Sequence, residues 1–349
     1  MKRCLAMILT CALLLTVCPL EGLAAELEQK KQEAEADYIE QPIGEVEFQE
    51  EAPSPNQPEE PEEAPPEEPK AEPTTPEHEE VPKENAVQVQ STDTYTEGDY
   101  TYTVADGVAT ITKYTGSATT LNIPETLGGY EVQGIGSSAV SDNTKIQKLT
   151  MPNSVNRIGE YAFANCTKLS DVELSRNLKT LGYSAFRNCD SLESIEIPKS
   201  LTTTTTYSYY GYDGPFHFCD GLKNVTFEEG TTKIPRYLFY YCTGLEEVAI
   251  PDTVVTIEEN AFGYCSSLRT VKMSDNVSLI DNYAFTECTK LRDITLPKNL
   301  QTLGYSAFRN CDSLESIEIP SSLTTTKTYP YNGYDGPFHF CDGLKNVTF

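Results

Sequence analysis

The chain has 349 residues and a formal net charge of −27, from 53 Asp+Glu against 26 Lys+Arg. This balance argues against nucleic acid and anionic membrane surfaces as partners, because both are held by a basic footprint. The length fits two domains or one elongated one.

The first 25 residues read as a secretory signal. Lys2 and Arg3 precede an apolar run from Cys4 to Leu20, and small residues follow at Gly22, Ala24 and Ala25. The expected location is therefore secreted or attached to the cell surface. The run is short for a membrane span, and no second one follows, so no membrane-spanning segment is expected. Leu15-Thr16-Val17-Cys18 resembles a lipobox, with Val17 where a smaller residue is usual, and a lipid on Cys18 would turn a soluble protein into an anchored one. Residues 26–92 cannot build a core. From Glu26 to Asn85 there are 21 acidic residues against 4 basic ones, interleaved with prolines as in Pro58-Glu59-Glu60-Pro61. Proline breaks helix and like charges repel, so an extended, disordered acidic linker or stalk is expected.

Residues 93–120 alternate like strands. Tyr100-Thr101-Tyr102-Thr103-Val104 and Val108-Ala109-Thr110-Ile111-Thr112 flank the turn Ala105-Asp106-Gly107. This predicts a β-hairpin that caps the first unit of the domain behind it.

From residue 121 the chain is periodic. Strand-like starts fall at Leu121, Leu149, Val172, Ile195, Val225, Val248, Val271, Ile294, Ile317 and Val347, mostly 23 residues apart and 30 apart twice. In 248–270 the apolar positions are Val248, Ile250, Val254, Ile257, Ala261, Phe262, Cys265 and Leu268. The start, terminated by Pro251, reads as a short strand. Ala261-Phe262-x-x-Cys265-x-x-Leu268, with apolar residues three or four apart, reads as a short helix. A strand and a short helix in 23 residues make one coil of an α/β leucine-rich-repeat solenoid of about nine coils over 121–349, whose core exists only when coils stack.

The motif Ile-Gly/Glu-x-x-Ala-Phe-x-x-Cys-x-x-Leu…Ile-Pro resembles the BspA-type (Treponema pallidum-type) leucine-rich repeats of bacterial surface proteins. The first coil departs from it at Val140 and Asn143, and the fifth at Thr231 and Leu238. The resemblance implies surface display and adhesion to host proteins or other cells, so the expected partner is a protein or glycan on host or neighbouring cells. A coat or spacer role is the alternative. Another is an accessory module of a longer protein, because the sequence stops at Phe349 on a strand with no cap after it. The oligomeric state is left open.

Residues 178–227 recur as 300–349 with five differences, at Lys179/Gln301, Lys199/Ser321, Thr205/Lys327, Ser208/Pro330 and Tyr210/Asn332. Both copies carry the 30-residue coil, whose seven extra residues are rich in tyrosine. Insertions in solenoids map to surface loops. Tyrosine offers a large amphipathic contact at low entropic cost. Tyr207, Tyr209, Tyr210 and Tyr212, with Tyr329, Tyr331 and Tyr334, are therefore the candidate ligand contacts. The alternative is that these rings pack on their own coil. A second candidate is the outward row Thr150, Glu173, Glu196, Thr226, Ala249, Lys272, Thr295, Glu318 and Thr348, which as a solvated face needs no function.

The sequence offers no catalytic constellation, and neither an enzyme nor a cofactor or metal is expected. Eight cysteines, from Cys166 to Cys341, occupy one inward slot, one per coil, and read as buried thiols rather than bridges. No Cys-x-x-Cys or Cys/His cluster is present. His217 and His339 sit in equivalent Gly-Pro-Phe-His-Phe segments beside the inserts. Gly134-Ile135-Gly136-Ser137-Ser138-Ala139 matches a dinucleotide pattern, but it lacks the strand–helix–strand unit that gives that pattern meaning.

Overall fold

In a computed structural model, residues 93–206, 213–327 and 336–349 are described. The expected leader and acidic linker lie outside them.

The described chain opens with β1 (Thr94–Glu97), β2 (Tyr100–Ala105) and β3 (Val108–Tyr114), antiparallel to one another in sequence order. Asp106 and Gly107 make the turn between β2 and β3 with φ of 52° and 78°. Positive φ at both central residues matches the right-handed twist of the flanking strands. The alternation buries Tyr102, Ala109 and Ile111 on one face. After β4 (Thr120–Asn122) and β5 (Thr126–Leu127), β6 (Tyr130–Ile135) pairs in parallel with β3, so the hairpin is hydrogen-bonded to the first coil.

The rest is a parallel β-solenoid built on two ladders of very short strands. In the first ladder Leu149 pairs Val172, Ile195 pairs Val225, Val248 pairs Val271 and Ile317 pairs Val347. The 30-residue coils keep this register, so the extra seven residues leave the inward face in place. A one-residue slip would turn every inward side chain to solvent. In the second ladder Ile135, Ile158, Leu181 and Thr204 are in register, as are Ile234, Ile257, Ile280, Leu303 and Thr326. Nine strands of this ladder mark nine coils among the described residues.

The third side of each coil corrects the sequence reading. Among the described residues there is no helix, and the Ala-Phe-x-x-Cys segments are runs of turns. Most hold two left-handed residues four apart, such as Tyr161 (φ 54°) and Asn165 (φ 59°), or Asn260 (φ 52°) and Tyr264 (φ 62°), and the segments that follow the inserts hold one, Phe218 (φ 58°) and Phe340 (φ 57°). A right-handed helix cannot pass through such residues. Their neighbours close three-residue turns instead, as in Cys166 N–H to the Phe163 carbonyl at 3.3 Å and Leu169 N–H to the Cys166 carbonyl at 2.9 Å. The alternate N–H groups donate to the next coil: Tyr161 to Tyr183 at 3.2 Å, Phe163 to Ala185 at 2.7 Å and Asn165 to Arg187 at 2.8 Å. Backbone polarity is thus satisfied between coils rather than along a helix. Consecutive turns place apolar residues three and four apart, as a helix does, and so the spacing misled.

Between the three sides lies a continuous core. Phe163, Phe186, Phe216, Phe239, Phe262, Phe285, Phe308 and Phe338 stack along it with centroids 5.2–5.7 Å apart. Burying each such ring contributes roughly 1.5–3 kcal/mol. The eight thiols run beside the rings. Each donates to a carbonyl of the preceding coil, at 2.8 Å for Cys341 to Phe308 and 3.4 Å for Cys166 to Val140. All eight are free and buried.

Candidate ligand-contact surfaces

Tyr207, Tyr209, Tyr210, Tyr212, Tyr329, Tyr331 and Tyr334 lie outside the described residues, but the bases of their loops are described. On the way into the first insert, Thr203–Thr204 pairs with Thr180–Leu181, and the second ladder then stops until Lys233–Ile234. Buried Thr204 bridges the break, its hydroxyl donating to the Arg236 carbonyl at 2.6 Å. Next to it, the Tyr183 N–H donates to the Thr205 hydroxyl at 2.9 Å. The second copy is anchored differently. Lys327 replaces Thr205 and reaches back two coils to the Asp281 carboxylate at 2.6 Å. The position equivalent to Asp281 in the first copy is Gly159, so this ion pair cannot form there.

On the way out of the first insert the chain is pinned. Gly214 is pressed against the next coil so closely that a Cβ would stand 1.9 Å from the Tyr237 carbonyl oxygen. The Ser184 N–H donates to the Gly214 carbonyl at 3.0 Å. His217, which is buried, stands with Nδ1 2.6 Å from the Asp213 carboxylate. The imidazole against it holds Asp213 below the ordinary carboxylate range.

Here the structure brings together residues that sequence reasoning missed. The His217 ring lies 5.1 Å from Tyr241 at 19°, and Tyr241 stacks on Tyr264 at 4.3 Å and 8°. Phe218 meets Tyr241 edge-on at 5.4 Å, and the Arg187 guanidinium sits 5.4 Å above the Phe218 ring. Phe218, Tyr241 and Tyr264 are half-buried and occupy one slot, the residue before each core cysteine, with φ of 58°, 61° and 62°. In other coils this slot holds Asp142, Asn165, Asn188, Glu287 and Asn310. There the side chains form a polar ladder, with Asn165 donating to Asp142 and Asn188 to Asn165, both at 2.7 Å. The signal available in the sequence was the switch of that slot from Asn to Phe and Tyr over three consecutive coils. The second copy repeats it at Phe340, which is 45% exposed and has Arg309 at 5.4 Å.

The outward row of the first ladder is placed as expected. Glu173, Glu196, Thr226, Ala249, Lys272, Thr295, Glu318 and Thr348 are exposed and Thr150 is half-buried. Lys148 spans Asp171 and Glu173 at 2.8 Å each, an exposed arrangement worth little. Pairing lapses between Asp293–Ile294 and Ser316–Glu318, beside an open cavity of about 520 Å³ lined by Lys272, Met273, Arg292, Ile294 and Ser316, among others. Among the described residues no group of His, Cys, Asp and Glu is placed to hold a metal ion, and no helix is long and apolar enough to cross a membrane.

Coils of 23 residues, lengthened to 30 at the two inserts and stacked through parallel ladders, with a core phenylalanine and cysteine in every coil after the first, define a leucine-rich-repeat solenoid. The family described as BspA type leucine rich repeat region matches in six copies, over residues 102–214 and 212–336. The chain belongs to the BspA-type leucine-rich-repeat family, whose members are typically cell-surface or secreted and whose repeats serve in general as protein-interaction modules. A leucine-rich repeat protein from Bacteroides ovatus is 24% identical with a TM-score of 0.50, covering 72% of this chain and 70% of its own. The Treponema pallidum leucine-rich repeat protein TpLRR is also 24% identical, with a TM-score of 0.43, covering 56% of this chain and 89% of its own. No curated protein matches.

Proposed function

We propose that the chain is a secreted or surface-displayed recognition protein that adheres to proteins or glycans on host or neighbouring cells, and that it does so without catalysis. The observation that carries this reading is the match of its coils to a family of surface interaction repeats over 102–336. The fold supports it physically. Each coil spends its inward positions on the core and leaves outward side chains free to vary, so a solenoid offers an extended surface at no cost to packing. The tyrosine-rich inserts enter this proposal as contact loops, since ring-rich loops on a rigid scaffold suit recognition. The two copies would allow bivalent engagement.

The test is binding of the full chain to a panel of immobilised matrix proteins and glycans, beside a variant with both inserts shortened by seven residues. Binding that the shortened but folded variant loses supports an adhesin working through the inserts. Binding retained by the shortened variant moves the contact elsewhere on the solenoid. No binding by either form sinks the recognition reading and favours a coat or spacer.

A further inference from the structure

We propose that the aromatic strip Phe218–Tyr241–Tyr264, with the carboxylates around it, docks a cationic segment, rich in Lys or Arg, of a partner polypeptide. The inference rests on the recognition reading above and names a surface for it other than the inserts.

The strip is not required by the fold. Its slot must be left-handed in every coil, and a bulky aromatic residue is an outlier there, at roughly 1–3 kcal/mol each. Asn tolerates the conformation and also bonds to its counterpart in the next coil, as at Asn165 and Asn188. Three consecutive coils nevertheless carry Phe, Tyr and Tyr. Strain accepted repeatedly at one surface, where a cheaper residue is in use a coil away, points to a role outside the chain.

The chemistry around the rings selects the partner. Asp220 lies two residues beyond Phe218, exposed, and faces Asp190 of the preceding coil. Partial burial and this neighbour raise the Asp190 carboxyl above its ordinary range. Glu287 holds the same slot one coil past Tyr264. Burial chiefly, and the Glu287 charge after it, raise the Tyr241 phenol. Aromatic faces bordered by carboxylates attract ammonium and guanidinium groups, by cation–π attraction and by charge together. The chain itself supplies the precedent, since Arg187 lies 5.4 Å above Phe218 and Arg309 lies 5.4 Å above Phe340 in the second copy. A net charge of −27 steers a cationic partner toward the chain and an anionic one away.

The test uses the full chain and a fluorescent hexapeptide carrying two Arg and two Lys, titrated by fluorescence polarisation at physiological salt, where attraction between exposed charges farther apart than about 8 Å is largely screened. The triple variant F218N/Y241N/Y264N places in each position the residue that the fold accepts elsewhere. Its thermal midpoint is expected to hold or rise while the peptide binds about tenfold more weakly, the equivalent of two exposed cation–π contacts. Y241F/Y264F keeps the rings and is expected to bind as the parent does. If the triple variant fails to fold, Tyr264→Asn alone is read instead, with an expected loss of about threefold. Equal peptide affinity in the parent and the Asn variants overturns the proposal. So does a neutral oligosaccharide bound by the parent and lost by the Asn variants when the peptide binds neither. Panel proteins held equally well after all three replacements would remove the strip and leave the recognition reading standing.

Discussion

Raising the pH from about 7 to about 10 loads the thiol column that runs through every coil after the first. Cys166, Cys242, Cys265, Cys288 and Cys311 are shifted upward chiefly by burial, Cys166 to about 12. In Cys189 the hydrogen bond with Cys219 is the larger cause and burial the next. An unfolded chain ionises its thiols near pH ~8.5. Above that value the unfolded state releases protons that the folded state keeps, so this stabilisation is complete below about pH 8.5 and is lost as pH rises toward the folded values. Each thiol adds a slope of about 1.4 kcal/mol per pH unit, so the six together give about 8 kcal/mol per unit. A typical domain has about 5–15 kcal/mol in all, and unfolding is therefore expected near pH ~9.5–10. The assay is the urea midpoint, followed by far-ultraviolet circular dichroism, at intervals across this range. A midpoint unchanged between about pH 8 and about pH 10 would refute the buried-thiol reasoning.

Four further substitutions test the packing and the anchor of the second insert. Phe262→Ala removes a ring stacked between Phe239 and Phe285 and is expected to cost about 3–5 kcal/mol by chemical denaturation. Gly214→Ala forces a methyl group onto a backbone carbonyl and is expected to cost more than about 2 kcal/mol. Gly107→Ala, at φ 78° with nothing within 4 Å, should cost only about 1–2 kcal/mol; equal losses at the two glycines would contradict the close approach at the insert base. Lys327→Thr breaks a partly exposed pair and should lower the thermal midpoint by less than about 1 kcal/mol's worth, with the difference shrinking in high salt.

Periodicity made most of the fold legible. Inward positions repeat because the coils are in register, so Leu149, Val248 and Ile317 could be placed in the core and Glu173 and Lys272 outside it without coordinates. The cysteine slot was legible for the same reason. The helix was misread because spacing records which residues point inward and is silent on the sign of φ. Asn165, Asn188 and Asn310 before the cysteines were the clue to left-handed turns, and Tyr241 and Tyr264 in the same slot masked it. The aromatic strip was missed because its members are far apart in sequence, and only stacking at 23-residue intervals brings their rings together. The differing anchors of the two inserts escaped notice because Lys327 finds its partner 46 residues away.

The most direct test of where this solenoid recognises its partner is amide hydrogen exchange of the full chain, with and without a protein that the binding panel retains. Docking on the aromatic strip predicts slowed exchange around 217–220, 240–243 and 263–266, beside the first insert. Slowed exchange confined to the outward row of the first ladder, around Thr226 and Lys272, would contradict it.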